Sequence, residues 1–202
     1  MTPRPPAGST SPAVPRVVPE SDGSRQSSQE SLRPPPPRWT DSALPPYAFL
    51  PGRTPHPYRS REGHSWGRPP PAAETLEPER WREDHAWLLG VDLWNAGYFW
   101  EAHELWESAW KARDRKGRQA VFLQAMIKAA AAEVKIRSGA WGAARALWTR
   151  AAAALEPFGG DPFSRFMGLD VRAFCIAAEG RFLGPAVDLP VVTSGDVFLR
   201  LG

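Results

Sequence analysis

No proline occurs between Trp81 and Glu156, although 19 of the 23 prolines lie in residues 1–80. Eight of the ten tryptophans fall inside that proline-free window. Proline removes a backbone donor and breaks helix interiors, so this split excludes one uniform fold along the chain. It calls for an extended leader followed by one helical domain of roughly 100 residues. A domain of that size buries a modest core without covalent staples. The single Cys175 excludes a disulfide framework and any multi-cysteine zinc site. A net charge of +3 is too small to imply nucleic acid, and the tryptophans recur at helical spacing, which marks core rather than a base-stacking platform. No nucleic-acid partner is expected. No apolar run approaches the roughly 18 residues of a membrane span, and no apolar stretch of a signal peptide follows the N-terminus. The expected location is cytoplasmic, without a membrane partner.

Composition divides the leader in two. Residues 1–43, rich in Pro, Ser and Arg, are expected to be a disordered tail, with Pro34–Pro37 favouring an extended linker conformation. Residues 44–74 differ. Tyr47, Phe49, His56, His64 and Trp66 are costly in a disordered segment, and they predict an extended arm that packs on the domain. The helical domain is placed at 75–180, and 181–202 is expected to be an extended C-terminal tail.

Within the domain, Thr75 is placed to cap a first helix whose first turn holds Pro78. That helix is expected to end at Asn95-Ala96-Gly97, with Gly97 in a left-handed cap. Further helices are predicted over about 98–113, 118–138 and 141–156. Asp161-Pro162 suits a further helix start, followed by short helices that stop at Gly180. Short connections make neighbouring helices antiparallel. The expected fold is therefore all-α, a compact bundle of two related helix hairpins plus short C-terminal helices.

The relation between the hairpins is visible as a repeat. Gly97–Ala109 and the stretch 42 residues later, Gly139–Ala151, share the glycine, Ala102/Ala144, Leu105/Leu147, Trp106/Trp148 and the last alanine. The frame resembles a tetratricopeptide-type hairpin, but two units with an offset longer than the usual ~34 residues make a compact bundle rather than a solenoid. Positions that recur are those the hairpin needs. Glu101, His103, Glu104 and Glu107 become Ala143, Arg145, Ala146 and Thr149, so the hairpin frame does not require them. At about 100° per residue from Glu101, His103 falls at about 200°, Glu107 at about 240° and Glu104 at about 300°. This polar arc opposes Ala102, Leu105 and Ala109, with His103 and Glu107 one turn apart. On the third helix Gln124 and Lys128 form a polar stripe that faces the arc if the two helices are neighbours.

Carboxylate and imidazole together suit a zinc, manganese or iron ion, acid–base chemistry without a metal, or a solvated acidic face. For a metal, the candidate ligands are His103 and Glu107 with His56 and His64 of the arm, although the Lys128 ammonium would compete for the same carboxylates. For catalysis, Glu101 and Glu104 would activate water while Lys128 and Gln124 orient an anionic substrate. The opposing reading is a binding groove for a basic peptide or a small ligand, without turnover. His85, beside Asp84, is expected to be exposed or locally paired, and Cys175 to be a buried, inert thiol.

The block Gly90–Glu104 with its Asn95-x-Gly97-x-x-x-Glu101-Ala102-His103-Glu104 pattern, Glu107 and Trp110, then Phe122–Ala131 and Gly139, resembles the DUF309 family of small all-helical bacterial proteins. The arm motifs Pro51–Pro57 and Gly63-His64-Ser65 are similar to the leader of one branch of that family. The resemblance covers about residues 45–170 and departs from the family at Ala125, where glycine is usual. It implies an all-α fold and a soluble, cytoplasmic protein. The family carries a label of metal-dependent hydrolase, which rests on the same Glu and His residues.

Overall fold

Asp84 decides where the first helix begins. Its carboxylate accepts from the Trp87 amide at 3.0 Å, the bond a helix start requires, and α1 runs His85–Asn95. Pro78 opens only a single 3-10 turn, Pro78–Arg80, after which Trp81 turns into the core. The helix therefore starts later than the Pro78 signal implies, because a first-turn proline serves an isolated turn equally well. The computed structural model describes residue 1 and residues 37–69, 76–112, 116–160, 165–184 and 198–202. The elements below belong to the unit Pro35–Gly202. The tail through residue 36, the Thr75 cap, the loop at 113–115, the Asp161-Pro162 start and the segment 185–197 lie outside the described residues.

Four more helices follow: α2 Phe99–Lys111, α3 Arg118–Arg137, α4 Trp141–Leu155 and α5 Val171–Leu183. No strand forms among the described residues, and the bundle is all-α. α1 packs on α2, α2 on α3, and α3 on α4. Pro157 closes α4 into a 3-10 turn, Glu156–Phe158. No helix of the described residues is long and apolar enough to cross a membrane.

The two hairpins share their turn geometry. Gly97 and Gly139 sit at φ +83° and +75°, where a side chain is strained. Tyr98 and Ala140 both adopt φ −90°, ψ 60°. Their amides reach back to Leu93 O and Lys135 O, each at 2.8 Å, which caps both preceding helices in the same way. The shared tryptophans, Trp106 and Trp148, are fully buried, and so are Ala102 and Ala144.

α3 is the central helix. Ala125, Ala129, Ala130 and Ala132 are fully buried along it, and their small side chains let α2 and α4 approach. Trp87, Trp94, Trp106 and Phe122 fill the space above them, with ring centroids 5.4–6.1 Å apart. Each such ring contributes about 1.5–3 kcal/mol on burial.

α5 departs from the sequence reading. Gly180 was expected to end it, yet the helix continues to Leu183. Two contacts carry it onward. Phe182 stacks on Trp148 with centroids 5.0 Å apart, and Arg181 pairs with the buried Glu133 of α3. Tertiary packing outweighs the roughly 1 kcal/mol that glycine costs in a helix. Cys175 lies on this helix, half-buried, and burial pushes its thiol up to about 11. Alkylation by iodoacetamide at pH 7.5 is expected to be at least about tenfold slower than that of free cysteine; a rate matching free cysteine would show that the thiol is accessible and ionised.

The segments without helical structure are tied down by polar side chains from the bundle. Asp92, almost fully buried, accepts from the Trp39 amide, the Thr40 amide and the Thr40 hydroxyl, all at 2.8 Å. Residues 38–42, which composition groups with the tail, are thereby bonded to α1. His85 joins them through Ser42 Oγ at 3.0 Å. Asn95 holds the C-terminal segment, accepting from Leu199 N at 2.8 Å and donating to Leu199 O at 3.0 Å.

Candidate functional site

Glu101 sits in the first turn of α2 and is 7% exposed. At about 100° per residue it lies only about 40° from Leu105, so it is the member of the polar arc nearest the apolar face. The arm closes over it. Phe49 donates its amide to Glu101 Oε1 at 2.8 Å, and His64 Nε2 lies 3.4 Å from the same oxygen. The other ring nitrogen of His64, Nδ1, is 2.9 Å from Ser65 Oγ. The imidazole thus links a serine hydroxyl to a buried carboxylate. Tyr47 packs its edge against that imidazole at 4.8 Å.

Glu101 Oε2 is buried and has no hydrogen-bond partner among the described residues. Such a group is uncommon in a folded chain and marks a place where a donor fits. Burial drives the Glu101 carboxyl above the ordinary carboxylate range, against the lowering effect of the Phe49 amide and His64. Tyr58 of the arm lies within electrostatic reach of Glu104 and Glu101. Burial, and then the charge of Glu104, push its phenol upward, while a bond with Ser65 acts in the opposite sense. Tyr58 therefore stays protonated and able to donate at neutral pH.

The remaining sequence candidates divide. His103 Nδ1 approaches Glu104 Oε1 at 3.4 Å but is not aligned for a hydrogen bond, and the nitrogen is a second buried atom without such a partner. Glu107 takes Lys111 Nζ at 2.8 Å rather than His103. His56 joins an aromatic cluster with Phe49 and Trp100, with centroids at 5.0 and 5.3 Å, and its Nδ1 accepts from Tyr58 N at 3.2 Å. Lys128 donates to Gln124 at 3.1 Å, so the two form a pair on α3, and neither bonds a carboxylate of α2 among the described residues.

These placements bear on a metal. His64 meets Glu101 and His103 meets Glu104, as two pairs. Among the described residues no three His, Cys, Asp or Glu side chains gather as ligands for an ion. The set His103, Glu107, His56 and His64 is not brought together, because Lys111 engages Glu107 and aromatic packing engages His56. Among the described residues the pairs stay below the three protein ligands that a zinc site uses.

Residues 87–147, from the first turn of α1 to the middle of α4, match the family model of DUF309, a domain of unknown function. This stretch is a DUF309 domain. The matched segment contains Asp92, Asn95, Glu101 and the α3 alanines, whereas His64, Ser65 and Tyr58 lie before it. In this chain the DUF309 helices supply the buried carboxylate and the preceding arm supplies the imidazole and both hydroxyls. No curated protein and no solved structure matches the chain.

Sequence reasoning passed over Tyr58, Ser65 and Asp92. Ser65 and Asp92 stand inside motifs quoted above, but nothing in their spacing indicates that Ser65 bonds the imidazole that meets Glu101 37 positions on, or that Asp92 reaches Trp39 53 positions earlier.

Proposed function

We propose that the DUF309 domain and its arm form a small hydrolase working by general acid–base chemistry at Glu101. The unpartnered Glu101 Oε2 beneath the arm carries this reading. A carboxyl whose affinity for protons is raised by burial is a stronger base toward a bound water than an exposed one. In the reaction, ionised Glu101 takes a proton from a water molecule through Oε2. The resulting hydroxide adds to the ester or phosphoester, and the proton passes from Glu101 to the departing oxygen. His64 holds Oε1 and orients the carboxylate, and Tyr58 donates to the developing oxyanion. No step runs through a metal, because the described side chains gather no ligand set. Binding of a basic peptide to an acidic groove receives less support, since Glu107 already has Lys111 and Glu101 is buried under the arm.

Glu101→Gln is the decisive variant, because glutamine still accepts the Phe49 amide but cannot act as a base. Hydrolysis of p-nitrophenyl acetate and p-nitrophenyl phosphate would be followed with and without chelator. Glu101→Gln is expected to lower the rate by about 10²–10⁴-fold. The absence of turnover in the wild type, or an unchanged rate in Glu101→Gln, would sink the proposal.

Stability should move the other way. The folded chain holds the Glu101 proton more tightly than the unfolded chain does. That contribution is complete below the ordinary carboxylate range and is lost as pH rises through the raised value. Glu101→Gln removes this dependence, so at neutral pH its melting temperature is expected to equal or exceed that of the wild type.

A further inference from the structure

A cavity of about 210 Å³ lies between the arm and the turn joining α1 to α2, walled by Phe49, Arg53, Thr54, Gly97, Phe99 and Arg137 among others. No carboxylate lines it. We infer that this cavity binds a small oxyanion, a carboxylate or a phosphate, with Arg137 as its anchor and Arg53 at its mouth. The site is distinct from the Glu101 chemistry and stands whether or not Glu101 is catalytic.

Arg137 closes α3. Its Nη1 donates to Gly97 O at 3.0 Å, and its guanidinium lies 4.5 Å from the centre of the Phe99 ring. It makes no other hydrogen bond or ion pair among the described residues, although a guanidinium carries five donors. Glu133 is the carboxylate that most favours its charge, and Glu133 is committed to Arg181. Burial and the Arg181 charge both disfavour the Arg137 cation, while Glu133 and Glu101 favour it from beyond ion-pair distance. A partly buried guanidinium without a carboxylate is a costly arrangement, and a planar fork of donors is suited to grip an oxyanion.

A second observation points to the same sign of charge. The N-terminus of the thirteen-residue α2 opens on the cavity at Gly97 and Phe99. Tyr98 provides no side-chain cap, and the first amide engaged in the helix ladder is that of Ala102, on Tyr98 O. Helix N-termini attract anions, and here Glu101 already places one carboxylate in that first turn, which leaves the anion the side that faces Gly97 and Phe99. Thr54 Oγ1, bonded to Leu50 N at 2.8 Å, fixes the opposite wall. The volume lies below the roughly 300 Å³ of drug-sized pockets, which restricts the ligand, or the part of it that enters, to a few heavy atoms.

The test uses the full chain at constant ionic strength, titrated with inorganic phosphate, then acetate and succinate, with sodium chloride as control. Melting temperature and the Arg137 Nε–H resonance are followed. Phosphate or one of the carboxylates is expected to raise the melting temperature saturably and to shift that resonance, whereas chloride does neither. Which of the two classes saturates at lower concentration identifies the oxyanion. Arg137→Gln should weaken binding at least tenfold and Arg53→Gln several-fold. Should Arg137→Gln not fold, the wild-type resonance still decides. A resonance unmoved by phosphate and by both carboxylates overturns the proposal, as does undiminished binding in a folded Arg137→Gln.

Discussion

Glu133→Ala is expected to destabilise the domain by about 3–5 kcal/mol, measured as the shift in the urea midpoint. A domain of this size has only about 5–15 kcal/mol in total, so the variant should be close to unfolded at 37 °C. Glu133 is 1% exposed in the penultimate turn of α3, and both its oxygens are engaged by Arg181 of α5, Nη2 at 2.8 Å from Oε2 and Nε on Oε1. Removing the carboxylate takes from the Arg181 guanidinium, itself only 10% exposed at its side chain, the two bonds that Nε and Nη2 make to Glu133. It also leaves Arg181 and Arg137 repelling each other without Glu133, which now offsets that repulsion. The penalty arises from stranding a charge, not from losing the pair as such. Replacing both partners, as in Glu133→Met with Arg181→Met, should therefore recover most of the loss. The first hairpin supports this, because the residue 42 positions before Glu133 is Val91, fully buried. A loss below 1 kcal/mol in Glu133→Ala, or a double variant no better than the single, would contradict the account.

Glu133 also marks where sequence reasoning ends. The helix hairpins are legible because their determinants are local: the spacing of apolar residues, a cap glycine and the absence of proline. The limits of α2, α3 and α4 lie within two residues of those predicted from these signals. The start of α1 and the end of α5 are not legible. Asp84 competes with the earlier Pro78 signal, and α5 is carried past Gly180 by Phe182 and Arg181, whose partners Trp148 and Glu133 are distant in sequence.

The polar residues divide in the same way. Their presence on one arc of α2 follows from helical spacing at about 100° per residue, but their work depends on segments far along the chain. Glu101 meets the arm 52 positions earlier, Asp92 meets Trp39 53 positions earlier, and Asn95 meets Leu199 104 positions later. Three polar side chains of the first hairpin thus satisfy the backbone of segments that form no helix or sheet of their own. Only Glu101 among them keeps an oxygen buried and unpartnered, and this separates a candidate site from a clamp. The repeat could show that Glu101 is dispensable for the hairpin. It could not show that Lys128 and Gln124 would turn to each other, or that Arg137, at the position of Asn95 in the second hairpin, would face a cavity.

Gly90→Ala sets local against tertiary physics. Alanine stabilises a helix interior by about 1 kcal/mol over glycine, and Gly90 lies inside α1, so propensity alone predicts a gain. The Cβ, however, would fall 2.0 Å from Trp106 Nε1 and 2.5 Å from Cε2. Trp106 has nowhere to go. It is fully buried, its ring lies 5.5 Å from Trp87 and 6.1 Å from Trp94, and Nε1 donates toward Trp87 O. Relief requires α1 and α2 to separate, which opens space under three tryptophans. Overpacking in a filled core costs about 1–3 kcal/mol and more where nothing yields, so the net effect should be a loss of about 3 kcal/mol or more. The second hairpin is the internal control. Ala132 occupies the corresponding position 42 residues on and is fully buried beside the α3–α4 contact, so that hairpin already accommodates a Cβ there. Ala132→Gly should cost only the propensity difference of about 1 kcal/mol plus a small void. Adding Trp106→Phe to Gly90→Ala, which shortens the opposing ring, should return part of the lost stability. If Gly90→Ala melts at or above the wild-type temperature, the close approach of α1 to α2 does not govern the stability of this hairpin.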